Sequence, residues 1–471
     1  MHRSIAVLVA CALGCTIAPH VDDASFDHDA GPREPDAAIV LADVWPLPDT
    51  GPADSDHDGL PDNVERMLGT DPHNADTDGD GWPDGVEVLA GTNPRDPNSH
   101  PPATDFYLLL PFGGTRQERQ IDFTARLGRA DIYFLVDTTA SMMPPIDNVR
   151  RSLATQIVPA VQAQIADVVM GVGDFRDFPD GVHGRARATN PDYAYTNRQS
   201  MTANMSLVEG ALNALTIGDG IDLPEASTEA LYRTVTGACA DGSGGFGTPC
   251  FRTMSHPIIV HVTDAPFHDG PDPTNDYSRS PPVPVDAHGW TETLAALTTR
   301  NVEIVGAAVS SGPPIPPLEM FDSQSDLTAL AMATGSRAAS GSTTVYRCEG
   351  GQVSTAVVNG IVELVGSLTQ DVSARSVDDT SDSVDATRFI RALSPVSATR
   401  SIDHMDATTF YGVPGGTTLR FRVEFLNDFQ PAQAHAQLFR AYIDVFDAAS
   451  GVTLDRRNVY ILVPSIDGLL T

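Results

Sequence analysis

ADIYFLVDTTAS, residues 130–141, is the stretch that decides how this chain is read. Ile132 to Val136 form an unbroken apolar run, which is what a strand buried on both faces of a parallel sheet requires. The run stops at Asp137, and a helical stretch follows at 146–165 (IDNVRRSLATQIVPAVQAQI). Further strand candidates are VVMGVGDF (168–175), HPIIVHVTD (256–264) and NVEIVGAAV (301–309). Helical stretches lie between them: SLVEGALNAL (206–215), PEASTEALYRTV (224–235) and WTETLAALTTR (290–300). Strand and helix in alternation predict an α/β domain with a mostly parallel sheet covered on both faces, over about 129–371. In such sheets ligands bind at the carboxyl ends of strands, and two of these strands end in aspartate, Asp137 and Asp264.

Upstream, 54–65 reads DSDHDGLPDNVE and 76–87 reads DTDGDGWPDGVE, both fitting D-x-D-x-D-G-x-x-D-x-x-E. The first loop offers Asp54, Asp56, Asp58, the Leu60 carbonyl, Asp62 and Glu65; the second offers Asp76, Asp78, Asp80, the Trp82 carbonyl, Asp84 and Glu87. Calcium takes six to eight hard oxygen ligands, and this spacing wraps them round one ion. Without a cation such carboxylates repel; a divalent ion turns that repulsion into folding energy. GTDP at 69–72 recurs as GTNP at 91–94, so the repeat is 22 residues long and leaves no room for the long helices of an EF-hand. Segment 53–98 therefore resembles thrombospondin type 3 repeats of bacterial surface proteins, which implies a calcium-stiffened spacer.

The chain has 471 residues, room for two or three domains, with 62 acidic against 29 basic residues and a net charge of -33. That charge repels phosphate backbones, so nucleic acid is excluded as an expected partner. Lysine is absent, which removes Schiff-base enzymes, Walker-type nucleotide sites and Ser/Lys hydrolases. The start, MHRSIAVLVACALGC, is a short basic end followed by a small apolar run, too short to span a bilayer and fitting a signal peptide over 1–15. Ala-Leu-Gly before Cys15 resembles a bacterial lipobox, which implies a lipid anchor on Cys15; Cys11 is a second candidate, and an ordinary secretory signal is the alternative. Residues 16–52 read as an acidic, Pro-rich tether. Cys239 and Cys250 flank a Gly-rich loop and are disulfide candidates in an oxidising compartment, with Cys348 left over or exchanged for one of them.

At the other end VSARSVDDTSDSVD (372–385) reads as a polar linker, and TLRFRVEF (418–425) alternates apolar and polar as a half-buried strand does. FRAYIDVF and NVYILV follow suit, predicting an antiparallel β-sandwich over 384–466. DFYLLL (105–110) and QIDFTARL (120–127) also read as strands, within 104–128, and are expected to join that sandwich. The α/β domain would then be an insertion.

Asp137-Thr138-Thr139-Ala140-Ser141 is a D-x-T-x-S variant of the D-x-S-x-S that opens the metal-ion-dependent adhesion site of von Willebrand factor A (VWA) domains. GIDLPE at 220–225 and HVTDAPFH at 261–268 resemble the segments that complete it in integrin β subunits, and integrin β chains share the split arrangement. The resemblance implies a Rossmann-like VWA fold, Thr139, Ser141 and Glu225 as direct ligands, and Asp137 and Asp264 acting through water. Hard oxygens select Mg²⁺, Mn²⁺ or Ca²⁺. One position would stay open for an acidic residue of a protein partner. GDFRD at 173–177 resembles the integrin segment feeding a second, calcium-preferring site, implying Asp177, Asp222, the Pro224 carbonyl and Glu225 there, although Gly220 stands where the family has asparagine. His261 and His268 flank Asp264 without zinc-motif spacing and read as a strand and a loop histidine.

These readings make the chain an exported adhesion or capture protein rather than an enzyme, held at a bacterial outer membrane or cell surface, or else periplasmic or secreted. It needs no small-molecule cofactor. A purely structural envelope role is the alternative. A metal-dependent hydrolase is the third reading, against which stand the missing second aspartate of phosphoryl-transfer folds and the missing G-x-S-x-G serine.

Overall fold

The computed structural model describes residues 53–186, 191–218, 220–239, 242–279, 281–310, 323–349 and 352–466. The signal segment, Cys11, Cys15 and the 16–52 tether lie outside the described residues.

The central sheet has the strand order β5-β4-β3-β6-β7-β8, formed by Leu127–Asp137 (β3), Ile165–Phe175 (β4), Thr196–Thr202 (β5), His256–Thr263 (β6), Glu303–Ser310 (β7) and Val345–Glu349 (β8). All neighbours run parallel except the edge strand β5, antiparallel to β4. β3 sits in the interior and shows why its sequence is apolar throughout. Ile132, Phe134 and Val136 enter one core; Tyr133 and Leu135 enter the core on the opposite face. The first core is closed by the helices Met143–Ser152 (α3), Val158–Gln164 (α4), Met205–Asn213 (α5) and Val353–Val365 (α9). The second is closed by Ser227–Val235 (α6), Trp290–Thr299 (α7) and Ser323–Thr334 (α8). A disulfide joins Cys239 to Cys250, and Cys348 is a buried free thiol.

Two further sheets face each other across a separate core. The strands Phe106–Leu109 (β1) and Gln117–Thr124 (β2) precede the central domain; Thr369–Asp378 (β9), Ile390–Ala398 (β10), His404–Met405 (β11), Thr409–Pro414 (β12), Thr418–Phe425 (β13), Gln437–Asp447 (β14) and Thr453–Val463 (β15) follow it. Their orders are β1-β15-β14-β9-β12-β11 and β10-β13-β2. β1 pairs with β15 (Phe106↔Val459) and β2 with β13 (Phe123↔Leu419), so strands from both sides of the central domain build one sandwich. Leu419, Phe421, Val423 and Phe425 point into its core, as the alternation requires.

Two sequence expectations need correction. The sandwich is not wholly antiparallel, because β1 runs parallel to β15. The polar stretch at 372–378 is not linker but part of β9, hydrogen-bonded between β14 and β12. Its polarity is matched across the sheet: Arg375 stacks on Phe446 and faces Asp444, and the Ser373 hydroxyl bonds that of Thr409.

The two acidic loops end in short helices, Asp62–Leu68 (α1) and Asp84–Ala90 (α2). Each closes on a glycine with positive φ, Gly69 and Gly91, which explains the repeated GT(D/N)P. The segment lies against the sandwich. Trp82 meets Tyr460 edge to face with centroids 6.2 Å apart, and Arg440 donates to the Leu89 carbonyl at 3.1 Å. A Cβ at Gly59 would come within 3.3 Å of Leu438 and Leu462.

Candidate metal centre

β3 delivers Asp137 to the carboxyl edge of the central sheet, fully buried. Its Oδ1 accepts the Thr139 N–H (2.8 Å) and hydroxyl (2.6 Å), and its Oδ2 accepts the hydroxyl of Thr263, the last residue of β6. One residue on, Asp264 accepts the Ser141 hydroxyl at 3.0 Å. Burial and the charge of Asp264 push Asp137 up to about 7.

Glu225 arrives from a third segment, tied down by its backbone. Its N–H donates to the Pro266 carbonyl and its carbonyl accepts the His268 N–H, a bridge that sets the loop beside the residues after β6. Burial raises Glu225 well above the carboxylate range, reinforced by Asp137, Asp177, Asp222 and Asp192. Gly220, at φ +63°, stands beside the carboxylate: a Cβ there would lie 3.3 Å from Glu225 Oε1 and 3.9 Å from the Thr139 methyl. Hydrogen bonds thus join Asp137 to Thr139 and Ser141 to Asp264, and Glu225 comes from a third stretch close enough for Asp137 to raise it. Glu225 Oε2 is buried with no hydrogen-bond partner. A buried orphan oxygen among like charges is destabilising unless a cation meets it, so the residues fit a divalent ion.

Behind this group lies a support that sequence reasoning missed. Arg176, from the GDFRD segment, is fully buried. It donates to Thr138 Oγ1 (3.2 Å) and the Thr216 carbonyl (2.5 Å) and pairs with Asp192. Thr138 in turn donates to Asp174, fixing the turn that carries Thr139. A long charged side chain in a loop gives no local signal of burial.

Of the second set, Asp177 and Asp222 do meet, but around a residue that was read as an ordinary loop histidine. His268 Nε2 lies 3.2 Å from Asp177 Oδ2 and 3.1 Å from Asp222 Oδ2, and its Nδ1 is 2.8 Å from the Asn275 carbonyl. Burial opposes charge on the ring, yet the two carboxylates prevail and lift His268 to about 10. An all-oxygen calcium set does not describe this arrangement.

In the acidic loops Asp54, Asp56 and Asp58, and likewise Asp76, Asp78 and Asp80, bring ligand oxygens together, with Glu65 and Glu87 beside them, and Asp54 Oδ1 and Oδ2, Asp56 Oδ2, both Glu65 oxygens, Asp78 Oδ2, Asp80 Oδ2 and Glu87 Oε2 are buried without hydrogen-bond partners. Asp76 also accepts the Gly79 and Gly81 N–H groups. Asp62 and Asp84 accept the backbone N–H and hydroxyl of Ser55 and Thr77, which makes them braces of the loops. Leu60 and Trp82 each donate N–H to the preceding aspartate pair, at Asp58 and Asp80. The loops are coupled by the Gly85 N–H donating to Asp58 Oδ2 at 2.7 Å. Both loops fit divalent cations.

Residues 129–274 match the family described as integrin beta chain VWA domain. Over that stretch the central domain is similar to VWA domains. Residues 54–75 and 76–97 each match the bacterial TSP3 repeat. Among solved structures the chain is similar to a von Willebrand factor type A protein from Catenulispora acidiphila, at 12% identity and a TM-score of 0.31, over 78% of this chain and 73% of that one. It is also similar to the pilus adhesin SpaC from Lactobacillus rhamnosus GG in its open conformation, at 10% identity and a TM-score of 0.34, over 76% of this chain and 46% of the adhesin. No curated protein matches the sequence. Among the described residues no helix is long and apolar enough to cross a membrane.

Proposed function

We propose that the VWA domain captures an acidic side chain of a protein partner through a divalent ion held by Asp137, Thr139, Ser141, Glu225 and Asp264. The reading is carried by the convergence of these five oxygen-bearing side chains on the carboxyl edge of the sheet with Glu225 Oε2 buried and unpartnered. Thr139 and Ser141 as neutral ligands leave the ion short of negative charge, which favours an external carboxylate. Mg²⁺ or Mn²⁺ suits this site; Ca²⁺ suits the two repeat loops. Binding rather than turnover is the reading, because these groups complete a coordination shell and supply no nucleophile of their own.

The VWA unit (129–371) is an insertion in a split sandwich, to which β9 belongs. The TSP3 segment serves as a calcium-braced buttress on that sandwich, supported by the Trp82–Tyr460 and Arg440–Leu89 contacts, rather than as a free stalk. The chain is exported and held at a bacterial surface, with Cys15 as lipid anchor. The test is retention of envelope proteins on the immobilised chain. Retention should be abolished by chelator, and by Asp137→Ala in calcium with the melting profile preserved. Binding that survives Asp137→Ala refutes the reading.

A further inference from the structure

Asp177, Asp222 and His268 form a cluster that the capture site does not use. Their ligand atoms all lie within 4.8 Å of one another. Asp177 is fully buried, and its Oδ1 is committed: it accepts the Tyr277 hydroxyl (2.6 Å) and the Phe178 N–H (2.6 Å). Its Oδ2 lies 3.2 Å from His268 Nε2 yet receives no hydrogen bond. Nε2 is hydrogen-bonded to Asp222 instead, at 3.1 Å. The single Nε2 proton lies between two carboxylates, and the buried Asp177 Oδ2 is left with an ion pair but no well-formed hydrogen bond. A metal ion at the centre serves all three atoms at once.

The ring is already set for that task. Nδ1 lies 2.8 Å from the Asn275 carbonyl and so carries a proton, the usual outer arrangement of a metal-bound histidine, and it is the proton on Nε2, facing the two carboxylates, that a metal ion would replace. Tyr277, stacked on the ring with centroids 4.0 Å apart, holds it in plane while donating to Asp177. Two carboxylate oxygens and an imidazole nitrogen make a mixed donor set. Such a set prefers a borderline ion of the zinc class over calcium or magnesium, which seek oxygen alone.

We propose that Asp177, Asp222 and His268 bind a zinc-class ion at a site chemically distinct from the capture site and the calcium loops. The proposal does not rest on the capture reading. The test uses the full chain, stripped with chelator, then dialysed against limiting Zn²⁺ in millimolar Ca²⁺ and Mg²⁺ to fill the oxygen sites. One zinc per chain should remain by elemental analysis, and Co²⁺ in its place should give visible d–d absorption. His268→Ala should lose the bound zinc while calcium content and circular dichroism hold. Tyr277→Phe, which keeps the ring and removes only the hydroxyl donated to Asp177, should weaken zinc by about 10–100-fold. Zinc that is displaced by calcium, zinc retained equally by His268→Ala, or a wild-type chain that gives no cobalt spectrum overturns the proposal. The cobalt measurement needs no variant and so decides the matter even if His268→Ala does not fold.

Discussion

Withdrawing calcium should destabilise the sandwich, not merely loosen the acidic segment. The loops lean on β14 and β15 through Gly59, Trp82 and Leu89, and the Asp58–Gly85 hydrogen bond makes them bind as a pair. Extracellular calcium modules bind at about 10⁻⁴–10⁻³ M, so about 10 mM free calcium contributes about 1.4–2.7 kcal/mol per loop, or about 3–5 kcal/mol for two. In a domain of this size that is roughly 6–20 °C of melting temperature. The pH dependence follows from the loop carboxylates. Burial raises Asp58 from 3.8 and Glu87 from 4.5 to about 8, and Glu65 from 4.5 to about 7. The folded chain then holds protons that the unfolded chain releases. In chelator, the loops' contribution to stability should be fully present below the ordinary carboxylate range and be lost as pH rises towards 8. Calcium, taking the place of those protons, should flatten that fall. Differential scanning calorimetry at several pH values, with calcium and with chelator, measures both effects. A sandwich transition that keeps its temperature in chelator, while the loops demonstrably bind calcium, would refute the reasoning.

Glu225→Gln should abolish Mn²⁺ heat at the capture site in titration calorimetry; in chelator it should stabilise the fold by up to about 1–3 kcal/mol, since an orphaned buried carboxylate is removed. Arg252→Ala should cost about 3–5 kcal/mol in denaturant titration, because it leaves the fully buried Asp131, 2.7 Å from the guanidinium, without its charge partner. Cys239→Ser with Cys250→Ser should lower stability by about 3 kcal/mol, through the freed loop in the unfolded chain, without altering cation binding.

What could be read from sequence was whatever is encoded locally. The apolar run from Ile132 to Val136 is explained by its two buried faces, and the repeated loops by ligands that lie within one turn of chain. What escaped depends on partners far along the chain. β9 looks like linker until Asp444, Phe446 and Thr409 are set beside it. His268 looks idle until Asp177 and Asp222, 91 and 46 residues away, face its ring. Arg176 looks solvated until Thr138, Thr216 and Asp192 enclose it. Trp82 was read for its carbonyl, whereas its ring does the packing against Tyr460.

β3 begins at Leu127 beside the sandwich and ends at Asp137 in the capture site, so about 33 Å of strand separates grip from mounting. At the mounting end Gln370 accepts the Gly128 N–H and donates to the Arg126 carbonyl, stitching the incoming and outgoing chain together. If the proposed capture reading holds, load on the central domain reaches the sandwich through two covalent connections that Gln370 ties together where they meet it.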